Sequence, residues 1–339
     1  MVLNKPFSKN FFLYVKKQEE GAQGMVQKCD AVFEGGGVKG IAFVGAIQET
    51  EKRGYQFARL AGTSAGAITA SLLAAGYTGS ELEEIMEEFS FLHFLETDWV
   101  GRIPILGKGM NIYWRNGMYT NTRMELWMKE KLNKKGVDSF GDLPEGKLKI
   151  IASDISNGRI MIIPDDLEWY GVDWKSFSIA KAVQMSTTIP YFFRPVEFSF
   201  KKDKIYIIDG AILSNYPVWI FDTPSTPRWP TFGYRLRAGE VYSPSLIKGP
   251  ISLFIALFTT MLEAHDRRSI EGHDAVRTIF IPVEGVKTTD FRISTEQKKR
   301  LIELGRREAK DFFEQWNYSA YLVKHRLTPK VNQSCFVKR

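Results

Sequence analysis

The stretch Phe57–Tyr77, FARLAGTSAGAITASLLAAGY, constrains the fold more than any other part of the chain. Its apolar run from Phe57 to Ala61 reads as a buried strand. The run breaks at Gly62 and resumes as a helix of small residues from about Ala65. The break spells Gly62-Thr63-Ser64-Ala65-Gly66, a G-x-S-x-G. A serine at a sharp strand-to-helix turn is strained and exposed. The flanking glycines are there because side chains would strike the neighbouring strand or helix. The helix begins at the serine, so its positive end favours negative charge forming near the hydroxyl. The alternative is a tight βα turn with an incidental serine. The strand and helix flanks supply the context that the nucleophile reading requires.

A second glycine loop lies upstream. Asp30–Glu34 is a strand candidate that runs into Gly35-Gly36-Gly37-Val38-Lys39-Gly40, followed by a helical pattern from Ile41 to Arg53. Such a loop presents bare backbone N–H groups to an anion, either a bound phosphate or a transient oxyanion. It is not a P-loop, because Lys39 is followed by Gly40 and Ile41 rather than by Ser or Thr. Gly35, Gly37 and Gly40 match G-x-G-x-x-G, but the ribose acid expected near residue 60 is missing from Phe57–Gly66. Two parallel strands joined by a crossover helix put both loops at one sheet edge. The glycine N–H groups beside Ser64 then serve best as an oxyanion hole, worth roughly 2.7–4 kcal/mol per donor.

A third signal is Lys204–Ile208, an apolar strand ending in Asp209-Gly210-Ala211, with Asn215-Tyr216-Pro217 in the same loop. An acid at a strand end is where α/β folds place catalytic carboxylates. A plain turn aspartate is the alternative. Between these signals the sequence predicts a helix over 79–91 capped by Ser80, a helix over 120–132, and a hairpin of Leu148–Ala152 with Arg159–Pro164 turned by Asn157-Gly158. A helix over 178–186 ends before Pro190, and Tyr191–Phe198 runs extended. Leu92–Tyr119 is aromatic and aperiodic and reads equally as a packed loop or as an apolar lid. Thr223–Pro230 is a loop, Ile251–Ala264 an apolar core helix, Ala275–Val283 a strand, and Ser294 to about Val323 a charged helix with Leu301, Leu304, Phe312 and Trp316 on one face.

These three signals in this order resemble the patatin-like phospholipase family of bacterial-type lipid acyl hydrolases. Ser186-Thr187-Thr188-Ile189-Pro190-Tyr191-Phe192-Phe193-Arg194-Pro195 is similar to the family's segment upstream of its Asp-Gly motif. The resemblance covers about Asp30 to Val218. It implies an α/β fold, a three-layer α/β/α sandwich around a mostly parallel sheet. It implies Ser64 as nucleophile, Asp209 as base, and the N–H groups of Gly35, Gly36 and Gly37 as oxyanion hole. Lys39, Gly40, Gly62, Gly66 and Gly210 are then the supporting motif positions. The family often carries Gly where this chain has Ala211, a small change.

On chemical grounds a serine needs a base within about 2.6–3.2 Å. His93, His265, His273 and His325 all lie outside the strand-end motifs. The economical reading is a dyad in which Asp209 takes the Ser64 proton directly, its pKa raised by burial beside the sheet. No cofactor and no metal are expected. The 339 residues divide into a leader over 1–28, a catalytic domain over 29–285 with the apolar segment about 92–119 as its cap, and a C-terminal helix and basic tail over 286–339. No apolar run reaches the ~18 residues that span a bilayer, and Cys29 and Cys335 form no disulfide framework. That predicts a cytoplasmic protein, or one peripheral to a membrane. The expected partner is a phospholipid or lysophospholipid, not nucleic acid, and the net charge of +7 suits an anionic surface. The competing functions are a phosphate- or nucleotide-binding protein using Gly35–Gly40, and a non-catalytic lipid-binding protein.

Overall fold

The computed structural model describes residues 27–90, 116–200, 203–238 and 274–327 except 287 and 289, together with positions 247, 249, 253, 256, 257 and 260. All but the last two residues of the expected leader, most of the 92–119 segment, His93, His265, His273 and the tail beyond 327 lie outside the described residues, as does the side chain of His325. Of the apolar stretch 251–264 only four positions are described. They are helical, and Leu253 and Leu257 among them are exposed.

Strand β1 (Gln27–Phe33) is buried from Cys29 onward, as a strand covered on both faces must be. A 3-10 turn over Gly37–Ala42 leads into α1 (Phe43–Lys52). Strand β2 (Tyr55–Thr63) passes through Ser64 into α2 (Ala65–Ala74), whose small residues let it lie close on β1 and β2. Helix α3 (Gly79–Glu88) is capped by Thr78, not by Ser80. Thr78 and Glu81 form a reciprocal capping box, and Gly79 N–H is taken by the Glu51 carboxylate. Next come β3 (Gly117–Tyr119), α4 (Thr122–Asn133), β4 (Leu148–Asp154), β5 (Arg159–Ile163) and α5 (Ile179–Ser186). Strands β6 (Tyr191–Phe193), β7 (Val196–Phe200), β8 (Asp203–Asp209), β9 (Thr231–Ala238) and β10 (Thr278–Val283) complete the strands.

The expected helix over 294–323 is two helices, α6 (Thr295–Gln315) and α7 (Tyr318–Leu327). The chain turns at Trp316, whose ring packs on Phe232 and Phe312. Helix α6 buries Leu301, Ile302, Ala309 and Phe313 in the same core as β1 and β2.

The main sheet runs β10-β9-β1-β2-β4-β8-β7, with β5 also paired to β4. From β10 to β4 the pairings are parallel, and β5, β8 and β7 join antiparallel. Helices α1, α2, α5 and α6 pack with the sheet around the large core. On the other face Val32 and Ala61 are covered by Phe221. This is the α/β/α sandwich around a mostly parallel sheet that the sequence resemblance implies. Strand β9, paired on both sides by β10 and β1, has no counterpart among the elements expected from sequence. Among the described residues no helix is long and apolar enough to cross a membrane.

The pairing of β4 decides where the site forms. Residues 152–154 of β4 pair with β5 on one edge and with β8 on the other. Residues 148–151 pair with β2, and 150–151 of these also pair with β5. Strands β2 and β8 therefore share one edge of β4 and meet end to end. Thr63 stands opposite Ile151 and Asp209 opposite Ala152.

Candidate active site

Both ends of that junction carry the residues singled out in the sequence. Ser64 is the hinge between β2 and α2, with φ 53° and ψ −120°. A non-glycine residue at positive φ is strained, and its surroundings must hold it there. They do so through close packing. A side chain on Gly62 would collide with the Gly66 carbonyl, and one on Gly66 would lie 2.7 Å from the Glu34 carbonyl and nearer still to that of Phe33. Asp209 ends β8 and is almost wholly buried. Gly210 packs so close to the Ile151 carbonyl that a side chain there has no room.

The Ser64 hydroxyl donates to Asp209 Oδ2 at 2.7 Å. Ala211 N–H donates to Oδ1 at 2.9 Å, so each carboxylate oxygen has one partner among the described residues. Burial pushes the Asp209 pKa up to about 7, and the bonds from Ala211 N–H and Ser64 pull it partly back. Among the described residues no histidine side chain accompanies the pair. Thr63 ties the two arms together by donating its hydroxyl to the Ser214 carbonyl at 3.0 Å.

The glycine loop lies against this pair. A Cβ on Gly35 would sit 3.2 Å from Ser64 Cβ. The expectation of three oxyanion donors needs correcting at Gly35, whose N–H already donates to the Asn215 carbonyl at 3.1 Å. Among the described residues the N–H groups of Gly36 and Gly37 make no such bond. Gly37 takes φ 55° and packs on the Thr288 carbonyl, which also accepts Val38 N–H at 3.1 Å. Lys39 lies half-buried in the 3-10 turn, and Gly40 brings that turn against Ala65 at the start of α2.

The support beneath the loop is not among the residues that the sequence motifs single out. Glu34 is buried, accepts Leu236 N–H at 2.6 Å and the Asn215 side-chain amide at 3.4 Å, and pairs with buried Arg235 at 3.3 Å. An acid directly before three glycines, at the end of an apolar strand, is its signal in the sequence. Among the described residues no group of three His, Cys, Asp or Glu side chains could hold a metal ion.

A family model described as "Patatin-like phospholipase" matches residues 31–222, more than half of the chain. The chain belongs to the patatin-like phospholipase family. At the level of the family it is a lipid hydrolase. The uncharacterized protein YqhO of Bacillus subtilis is 41% identical over 300 residues, which span 85% of this chain and 99% of that one. The cUMP-AMP-activated phospholipase of Escherichia coli is 30% identical over 197 residues, 55% of each chain. Among solved structures, VipD from Legionella pneumophila superposes with a TM-score of 0.52 at 18% identity, over 85% of this chain and 66% of that one, a likeness of fold.

Proposed function

We propose that this patatin-like protein cleaves the carboxylic esters of phospholipids or lysophospholipids through a Ser64–Asp209 dyad. The observation that carries the reading is the 2.7 Å bond from the Ser64 hydroxyl to a buried Asp209 whose pKa stands at about 7. A base works best when its pKa lies near the working pH. Asp209 Oδ2 takes the Ser64 proton as Oγ attacks the acyl carbonyl. The N–H groups of Gly36 and Gly37 receive the oxyanion, and loss of one such donor costs ~10²–10³ in rate. The leaving alcohol takes the proton from Asp209, and an acyl-enzyme remains on Ser64. Water, activated by the same carboxylate, then releases the fatty acid. No step calls on a metal or cofactor. The membership of a phospholipase family and the likeness to the E. coli phospholipase support a lipid substrate. A surplus of cations supports peripheral contact with an anionic bilayer. In this reading the catalytic residues lie within 29–285, and Thr288 and α6 beyond it support the glycine loop and the core.

The test is hydrolysis of a soluble p-nitrophenyl ester and of micellar phospholipid, with fluorophosphonate labelling in parallel, for wild type and Ser64→Ala. Turnover and labelling by wild type and neither by the variant are expected. A folded wild type inactive on both substrates, or a variant that keeps full turnover, refutes the dyad.

A further inference from the structure

We propose that the last residue of α5 and the turn after it, residues 186–188, are the positioning element for both members of the dyad, with Ser186 as a spacer in the β2–β4 ladder and Asn121 as its lock. The inference rests on the Ser64–Asp209 reading and extends it to residues that do not touch the substrate.

The ladder itself shows the spacer. Strands β2 and β4 are parallel, and Leu60 N–H donates to the Lys147 carbonyl at 2.8 Å. In a parallel ladder this pattern repeats every second residue. The N–H of residue 64 therefore points at the carbonyl of residue 151. That bond is not made directly. Ser64 N–H donates to Ser186 Oγ at 2.9 Å, and the Ser186 hydroxyl donates to the Ile151 carbonyl at 2.6 Å. One hydroxyl has been inserted between the nucleophile's backbone and the strand it would otherwise join. The insertion moves Ser64 off β4 at the place where β2 must leave the sheet, and it satisfies a buried donor and a buried acceptor together. Ser186 is completely buried, so water cannot take over this role without a rearrangement.

Two residues further on, the Thr188 carbonyl accepts Asp209 N–H at 2.8 Å. The same turn thus holds the backbone of Ser64 through a hydroxyl and the backbone of Asp209 through a carbonyl. A fixed turn between them fixes the distance between Oγ and Oδ2.

Asn121 fixes the turn. Its side-chain amide nitrogen faces the Gln184 carbonyl at 3.2 Å, Thr187 Oγ1 at 3.0 Å and Thr188 Oγ1 at 3.3 Å. The two threonine hydroxyls bond back to α5 carbonyls, Thr187 to Val183 at 2.9 Å and Thr188 to Gln184 at 2.6 Å. Although Asn121 stands at the N-cap position of α4, its side chain makes no capping bond there. Its buried amide is spent on α5 instead. Removing it loosens the turn without uncapping α4.

The experiment compares wild type, Ser64→Ala, Ser186→Ala, Ser186→Thr and Asn121→Ala. It records kcat and KM on a soluble ester, fluorophosphonate labelling rate, and melting temperature. Displacement of a reacting group by about 1 Å can cost ~10²-fold in rate. Ser186→Ala is expected to lose ~10- to 100-fold in kcat at unchanged KM and to label more slowly by the same factor. Ser186→Thr, which keeps the hydroxyl, restores part of that loss, and Asn121→Ala loses less than Ser186→Ala in the same parameter. Because both act through one turn, Ser186→Ala combined with Asn121→Ala loses less than the product of the two. Full turnover by Ser64→Ala defeats the dyad itself. An inactive Ser64→Ala beside a folded Ser186→Ala with wild-type kcat defeats the positioning role alone, as does a loss no larger than the unfolded fraction. Where Ser186→Ala does not fold, Asn121→Ala decides. A wild-type kcat overturns the proposal, and a lowered kcat at unchanged KM upholds it.

Discussion

Replacing Asp209 by Asn removes a charge while keeping the shape of the site. The amide oxygen can still accept Ala211 N–H, now at 2.9 Å to the carboxylate, and the amide nitrogen can donate to Ser64 Oγ. Burial has raised the Asp209 pKa from 3.8 to about 7. A rise of that size disfavours the charged form in the folded protein by about 4 kcal/mol. The sign follows from proton linkage. Between pH 3.8 and about 7 the folded state holds a proton that the unfolded state has released, so wild type loses stability as pH rises through this window. The Asn variant has no such dependence. Its advantage over wild type should widen by about 2–3 kcal/mol between pH 5 and pH 8. Its turnover should fall by ~10³ or more, and not further when Ser64→Ala is added, because the two residues act as a unit. Wild-type kcat/KM on a soluble ester should rise about tenfold per pH unit below 7 and level off above it. Urea denaturation at the two pH values and a pH–rate profile measure both effects. A stability gap independent of pH, or a flat rate profile from pH 5 to 9, would refute the assignment of a buried, proton-accepting carboxylate.

Three further outcomes are expected. Gly66→Ala places a methyl group against the Phe33 and Glu34 carbonyls and should cost about 1–3 kcal/mol; a wild-type melting temperature with full turnover would contradict the packing account. Lys298 is buried and donates to the carbonyls of Met86, Glu87 and Phe89 at 2.9, 2.9 and 2.6 Å, closing the end of α3. Lys298→Met strands these acceptors and should lower stability by about 1–3 kcal/mol with little effect on kcat, as thermal melting and ester turnover would report. Dialysis against EDTA should leave turnover of a soluble ester unchanged, and a loss that calcium restores would require a metal-assisted route.

The parts legible in the sequence are those in which a local rule dictates the residue. Gly62 and Gly66 were readable because only hydrogen fits against the opposing carbonyls, and Asp209-Gly210 because a strand ends there. Strand β9 was hidden by its charges. Phe232, Tyr234 and Leu236 alternate toward the core, but Arg235 between them suggests a surface until its pairing with Glu34 is known. Thr78 and Ser80 offer equivalent caps, each three residues before a glutamate. The choice is made by Glu51, which lies far away in the chain and holds Gly79 N–H. The loss of Gly35 as a donor depends on the Asn215 carbonyl, again a tertiary partner. Ser186 sits in a recognisable segment, yet nothing local distinguishes an inserted ladder hydroxyl from an ordinary helix-end serine.

The end-to-end meeting of β2 and β8 along β4 sets what the chain can vary. Ser64 and Asp209 are 145 residues apart, but β4 and the turn at 186–188 measure their separation, and the lengths of the loops that join these elements do not enter. Adding or deleting one residue within either strand would slide its end by about 3.3 Å and break the pair. Adding many residues to a loop between these elements would leave the pair where it is. Substrate-recognising loops of very different length can therefore be exchanged between these elements without the reaction centre being rebuilt.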